Sequence, residues 1–306
     1  MHRGPLFFSV LIMSKRPILI PLIVVGGIVV TFMLLLLGLA AFFGGGTSMQ
    51  LGEKIGVVEL IGPIVDSREP VEQINAFRRD QSILAVVIRV DSPGGGVGPS
   101  QEIYTEIERL AAEKPVVVSM GSVAASGGYY VAAPAQRIVA NPGTITGSIG
   151  VIMNFTNYQD LLDKIGLKSN VITSGKHKDI GSSVRPMTDE DRAILQGLID
   201  DVHQQFVAAV AKGRKLEIDV TSKLADGRVF TGRQAQAIGL VDDLGNFQDA
   251  VTIAAELSGI DDEPHLVYPP EPKKGFIQYL LEETSSQLQK GLREEAATGL
   301  QYRWNE

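Results

Sequence analysis

From residue 54 onward, apolar runs rich in β-branched residues alternate with amphipathic stretches. "KIGVVELIGPIV" (54–65) predicts a strand or two, and Val71–Phe77 a short helix. In "ILAVVIRVD" (83–91), Ile83, Leu84, Ala85, Val86 and Val87 follow one another with no polar alternation before Arg89. That is the mark of a strand buried on both faces. "GPSQEIYTEIERLAAE" (98–113) instead spaces Ile103, Ile107, Leu110 and Ala111 as a helix does. "PVVVSMGS" predicts the next buried strand, and "GGYYVAAPA" opens the next helix. "RIVANP" and "TGSIGVIM" predict short strands, followed by a helix around Tyr158–Ile165 and a strand "NVITSG".

Thr188 with Asp191 makes a capping-box-like start, with Asp in place of Glu. The helix it opens reaches about Lys212, with Ile194, Leu195, Leu198, Val202, Phe206 and Val210 as its apolar stripe and Gly213 as its stop. "GRVFTGRQAQAIGLVDDLG" and a helix from about Phe247 to Leu257 complete the pattern. The β-α-β-α order predicts an α/β fold with a mostly parallel sheet and right-handed crossovers.

The N-terminus has a different character. The run from Pro17 to Phe43 is uncharged and exceeds the about 20 apolar residues that a spanning helix needs. It is also longer than the apolar region of about 7–15 residues in a cleavable signal, so it predicts an uncleaved signal anchor. Arg3, Lys15 and Arg16 precede it, and no positive charge follows before Lys54. That asymmetry predicts a cytoplasmic N-terminus, with everything after the span outside the cytoplasm. Met13, directly before "SKRP", offers a second start site. The expected organisation is an N-terminus over 1–16, the anchor over 17–43, a Gly-rich linker over 44–53, the α/β domain over 54–262 and an extension over 263–306. In that extension "FIQYLLEETSSQLQKGL" predicts an amphipathic helix.

Composition narrows the classes. At 306 residues and 44% hydrophobic, the chain can bury a sizeable core, and its net charge of −7 leaves no basic surplus for nucleic acid. The absence of cysteine excludes disulfides, thiolate nucleophiles and cysteine-based zinc sites.

Two glycine-rich turns and one basic turn carry the candidate chemistry. "DSPGGGV" (91–97) follows a buried strand, and consecutive glycines leave N–H groups uncovered by side chains. Aimed at one point they form an oxyanion hole, worth about 3–4 kcal/mol per donor. The turn lacks the lysine and hydroxyl of a phosphate loop. "GSVAASGGYY" (121–130) places Ser126 between a strand and a helix. Both turns are expected at the carboxyl edge of neighbouring parallel strands, where open α/β sheets put their sites. The N–H of Gly127 would then join one from Gly94 or Gly95 around a carbonyl attacked by Ser126. Taken singly, Ser126 reads as a helix N-cap and the glycine turn as a flexible connection. Positions 124 and 128 are Ala and Gly, which departs from the GxSxG elbow. No histidine lies between Ser126 and His177. In "SGKHKDIGSS" (174–183), His177 or Lys178 could serve as the base. In an extended segment the two point to opposite faces, so only one can reach Ser126. A lysine would need burial to lower its pKa, and most lysines are simply solvated.

"DSPGGGV", "MGSVAASGGYY", "TGSIGVI", "SGKHKDIGS" and "DGRVFTGRQAQAIGLVDDLG", in this order and spacing, resemble the signal peptide peptidase A (protease IV) family over about Ile55–Ala250. The resemblance includes the single anchor of its short members. It implies a Clp-protease/crotonase-like fold, a nucleophile at Ser126, a general base at Lys178 and a base-orienting serine at Ser148. It implies oxyanion donors at Gly127 and in the "PGGG" turn, with Gly94 preferred over Gly95. It further implies homo-oligomeric rings in which Lys178 serves its own or an adjacent chain, peptide substrates such as signal-peptide remnants and unfolded chains, and no metal or cofactor. The rivals are a Clp-type Ser-His-Asp peptidase using His177, a crotonase-like acyl-CoA enzyme, and a non-catalytic membrane scaffold. An exported location argues against acyl-CoA chemistry, and a scaffold has no use for Ser126, Lys178 and Ser148 together.

Overall fold

A computed structural model describes residues 26–36 and 53–270, in two units, Met1–Gly52 and Glu53–Glu306. In the first unit, residues 26–36 are helical (α1) and exposed. The rest of the expected anchor, the linker up to residue 52 and the extension beyond residue 270 lie outside the described residues. Among the described residues no helix is long and apolar enough to cross a membrane.

The second unit is built on one sheet. Its strands are β1 (Lys54–Ile61), β2 (Ile83–Ser92), β3 (Val116–Ala125), β4 (Arg137–Ala140), β5 (Ile145–Gly147), β6 (Val229–Thr231), β7 (Asp243–Leu244) and β8 (His265–Val267). They run in the order β6-β5-β3-β2-β1-β8, and β4 pairs with both β3 and β7. Every pairing is parallel except β5 with β6. Long β3 pairs through Val117–Met120 with β4 and through Val123–Ala125 with β5.

The uninterrupted apolar runs are explained by burial on both faces. Val86, Ile88 and Val90 of β2 join Val116, Val118 and Met120 of β3 in the larger core, beneath α2 (Arg68–Arg79), α3 (Val97–Ala111), α4 (Gly127–Ala132) and α6 (Asp189–Arg214). The intervening Ala85, Val87, Val117 and Val139 face the other way, against Ala250, Val251, Ala254 and Ala255 of α9 (Phe247–Ser258). Alternation along a pleated strand sends successive side chains to opposite layers, so a strand covered on both sides must be apolar throughout.

The structure departs from the sequence pattern in four places. "NVITSG" forms no strand, and its Val171 and Ile172 are 53% and 98% exposed. Its β-branched residues carry propensity, but no neighbouring strand pairs with them. "TGSIGVIM" contributes only the end of β5, because positive φ at Gly147 (78°) and Ser148 (50°) breaks the extended run. Gly213 is not a stop: α6 continues to Arg214 and ends at Lys215, which adopts the left-handed conformation. Gly213 is required instead by close packing, since a Cβ there would lie 2.2 Å from the Ala133 carbonyl oxygen. Finally, α7 (Ile218–Leu224) and β7 are additional, and β8 pairs with β1 just past the expected domain end at residue 262. The other expected elements are present, including α5 (Gln159–Lys164), whereas α8 (Gly232–Ala237) is a further addition. The Thr188/Asp191 capping box is formed in full.

Central β2 depends most on this two-sided burial. Ile88→Ala, at a fully buried position, is expected to lower unfolding stability by about 2–5 kcal/mol. Val65→Ala, at a position 80% exposed, is expected to stay within about 0.5 kcal/mol. Urea unfolding of the full chain in detergent, followed by circular dichroism, checks both.

Candidate active site

Two turns meet at the carboxyl edge of β2 and β3. After Ser92 the chain runs through Pro93–Gly96 into α3, and after Ala125 it passes Ser126 into α4. Their alignment involves an irregularity: Val90 pairs with Met120, but Ser92 pairs with Ala124, so β3 carries extra backbone opposite β2. Asp91 stabilises this bulge, accepting the Val123 N–H at 3.1 Å. The turns then touch. A Cβ on Gly94 (φ 100°) would lie 2.6 Å from the Gly127 nitrogen and 2.9 Å from Ser126 Cβ. A Cβ on Gly127 would lie 2.7 Å from Ser100 Oγ. Only glycine fits at 94, and a side chain at 127 would require the Ser100 hydroxyl to turn aside.

Ser126 sits at φ 54°, ψ −120°, a conformation rare outside glycine. Such a residue costs about 1–3 kcal/mol and persists only where its surroundings fix it. Here its N–H donates to the Gly147 carbonyl at 2.8 Å, and its own carbonyl accepts from the Tyr130 N–H at 2.8 Å. Although Ser126 occupies the N-cap of α4, its side chain makes no capping bond. Neither the Ser126 nor the Ser148 hydroxyl has a hydrogen-bond partner among the described residues. The corner therefore presents a free hydroxyl, the feature that matters in the GxSxG elbow, without that motif.

The N–H groups around it sort clearly. Ile64 bridges to Gly95, with its N–H donating to Gly94 O (2.9 Å) and its carbonyl accepting from Gly96 N–H (2.8 Å). In an extended segment alternate groups point to opposite sides, so the Gly95 N–H faces away from Ile64. It has no partner among the described residues, and a Cβ on Gly127 would come within 3.1 Å of this nitrogen. Gly94, by contrast, donates its N–H to Ser92 Oγ at 3.2 Å. Gly127 opens α4, and the first N–H groups of a helix have no partner within it.

Two cavities flank the corner. One, of about 100 Å³, is walled by Val97, Tyr130, Val151, Ile152, Val202 and Phe206 beside Ser126. Tyr130 packs on Tyr104 and Phe206 with ring centroids 5.0 and 4.9 Å away, which makes a rigid apolar floor. The other, of about 470 Å³, joins Ser126 and Ser148 with Asp200, His203 and Asp226. Ser148 is held by its N–H to Arg228 O (2.8 Å), in the turn that His203 braces through Nε2, 2.7 Å from Ala225 O.

The chain therefore brings Ser126, Ser148, Gly94, Gly95 and Gly127 together. Lys178 and His177 line neither cavity. Lys178 is exposed and its amine has no partner among the described residues, while His177 Nε2 lies 3.5 Å from Glu190 Oε1. The sequence reading did not single out His203, although it adjoins Val202 and precedes Phe206 on the expected apolar face of α6.

The model of peptidase family S49 matches residues 108–261. A provisionally named protease of Synechocystis sp. is 46% identical over 210 residues, 68% of this chain and 76% of its own. The chain belongs to peptidase family S49. Protease 4 of Salmonella typhi is 40% identical over 232 residues, 72% of this chain and 37% of that one. The chloroplastic serine protease SPPA of Arabidopsis thaliana is 36% identical over 200 residues, 65% and 30% of the two chains. This S49 member is accordingly a peptidase of the serine-protease class.

The tight contact between the turns yields a direct test. Gly94→Ala forces a Cβ against Gly127 and Ser126 and is expected to lower kcat/KM for peptide hydrolysis about 100-fold or more. Steady-state kinetics, with thermal melting to show that the fold is kept, provides the measurement.

Proposed function

We propose that this S49 member is a membrane-anchored Ser-Lys endopeptidase that degrades signal-peptide remnants and other exposed peptides, with Lys178 supplied by a neighbouring copy in a ring. The observation that carries this reading is the uncapped Ser126 hydroxyl beside the unpartnered N–H groups of Gly95 and Gly127. Neutral Lys178 Nζ takes the Ser126 proton as Oγ attacks the peptide carbonyl. The oxyanion accepts hydrogen bonds from Gly95 and Gly127, Gly95 replacing Gly94 because the Gly94 N–H is already committed. The lysinium then protonates the departing amine, leaving an acyl-serine. Water attacks that ester, Lys178 takes its proton, and the proton returns to Ser126 Oγ as the carboxylate leaves. Ser148 holds the amine in place. The chemistry needs no metal or cofactor.

Four features support the finer points. Glu190 of α6 pairs with residues next to Lys178, whereas Val202 and Phe206 of the same helix wall the serine's cavity. At about 1.5 Å per residue, Glu190 and Val202 lie about 18 Å apart along the axis, which favours a lysine acting in trans. Exposed Ile152, Ile165 and Ile172 (87%, 61% and 98%) offer apolar surface to such a neighbour. The small apolar cavity beside Ser126 suits apolar side chains, which signal peptides have in abundance, and the uncharged run 17–43 would hold the enzyme where they accumulate.

Ser126→Ala and Lys178→Ala are each expected to lower peptide hydrolysis by at least about 10³-fold, with Ser126→Ala also losing fluorophosphonate labelling. His177→Ala should keep most of the activity; loss there with activity retained in Lys178→Ala would overturn the lysine assignment. Co-assembling the two inactive chains, Ser126→Ala with Lys178→Ala, should restore hydrolysis, since some sites then combine an intact serine with a neighbour's intact lysine. A cis site would stay silent.

A further inference from the structure

Residues 165–188 contain no helix or strand, so the turn bearing Lys178 is placed by individual bonds. Its backbone is closed by Lys178 N–H to Gly175 O (3.1 Å), Ile180 N–H to His177 O (3.2 Å) and Ser182 N–H to Asp179 O (2.9 Å). These fix the shape of the turn. Its far end is tied to the segment entering α5 by Tyr158 N–H to Ser183 O (2.7 Å) and Asn157 Nδ2 to Arg185 O (2.8 Å), and its lysine end is tied to α6 by side chains. Lys176 forms an ion pair with Glu190, and His177 approaches the other oxygen of the same carboxylate.

On the far side stands Arg185. Its Nε donates to Asp179 Oδ2 (2.7 Å) and its Nη2 to Asp179 Oδ1 (3.0 Å), a two-pronged grip on the residue next to Lys178. Nη2 also approaches the Asp179 carbonyl (3.4 Å). Nη1 donates to Asp191 Oδ2 (2.5 Å) and to Pro186 O (3.0 Å). Asp191 is the third residue of α6, with a side chain only 4% exposed, and the same carboxylate oxygen closes the capping box by accepting the Thr188 N–H at 3.1 Å. One guanidinium thus ties the lysine turn to the N-terminus of a 26-residue helix.

We propose that Arg185 is a positioning residue for the base: its bridge from Asp179 to Asp191 sets where Lys178 Nζ is presented. The inference rests on the reading of Lys178 as the base. The planar fork is essential to it, because a lysine at 185 has no second edge with which to hold both carboxylates. The bridge is ionised at any working pH. Hydrogen bonding to Arg185, then the Thr188 N–H, holds the Asp191 carboxyl far below the usual range, and Arg185 also lowers that of Asp179.

The test uses the full chain in detergent and an activated peptide ester, for which slow residual rates can be read. Arg185→Met is expected to lower kcat about 10- to 100-fold while KM stays within about twofold. Arg185→Lys should recover little of that loss. In a Lys178→Ala background, Arg185→Met should cost nothing further, because the group it positions is already gone. An Arg185→Met enzyme with near-normal kcat, beside an inactive Lys178→Ala, would refute the positioning role and leave the dyad standing. An equal loss in both backgrounds would make Arg185 merely structural and refute it as well. Full activity in Lys178→Ala would remove the base assignment and the inference together. Should Arg185→Met fail to fold, Asp179→Asn keeps the Arg185–Asp191 arm. Its kcat must then fall at an unchanged melting temperature, and an unchanged kcat refutes the proposal.

Discussion

The contact between the Gly94 turn and the Ser126–Gly127 corner leaves no space for a side chain on Gly94 and little on Gly127. Much else in the domain exists to bring those two pieces of backbone together. Parallel pairing of β2 with β3 puts both turns at one edge, and the bulge at Asp91 extends β3 so that its corner arrives level with its neighbour. Ile64, bridged to Gly95, holds the first turn from outside. Gly147 O and the Tyr130 N–H hold Ser126 in a conformation it would not adopt freely. Strain of this kind is tolerable because two layers of core on either side of the sheet fix the strands that carry it.

Backbone donors suit this task. A side-chain donor must be ordered at the cost of rotamer freedom, whereas an N–H in a turn pinned at both ends is already aimed. The distinction between Gly94 and Gly95 follows from the same pinning. Ile64 takes the groups flanking Gly95, Ser92 takes the Gly94 N–H, and the Gly95 N–H is left without a partner among the described residues.

How much of this could be read from the sequence depended on how local the signal was. Strands β2 and β3 were legible because two-sided burial writes itself as uninterrupted Ile, Val and Ala. Helix α6 was legible because Thr188 and Asp191 form its cap within a few residues. Ser126 and the glycine turn were legible as candidates because glycine runs after buried strands are seldom arbitrary. Ser148 was accessible only through the family resemblance, since its position depends on Arg228, far along the chain. "NVITSG" misled because β-propensity says nothing about whether an edge is available. His203 and Arg185 were invisible for a related reason. Each acts through partners, Ala225 for one and Asp179 with Asp191 for the other, and a sequence records residues rather than their pairings.

The two halves of the proposed dyad are built by different physics. The serine half is a backbone construction, locked by strand pairing and core packing. The lysine half is an irregular turn fixed by ion pairs to the first residues of α6. Core packing tolerates little displacement, which suits a nucleophile that must meet its oxyanion donors to within a fraction of an ångström. Charged clamps on a half-exposed turn define direction while leaving the surface free to meet another molecule. On the proposed reading, α6 carries both: its first turn presents a base outward, and its middle walls the cavity of its own serine. A chain by itself then holds a strained, unassisted hydroxyl and a solvated amine, neither of which cleaves peptides. On that same reading hydrolytic capacity arises only where one copy's helix terminus meets another copy's sheet edge, so assembly would itself be the step that activates the serine.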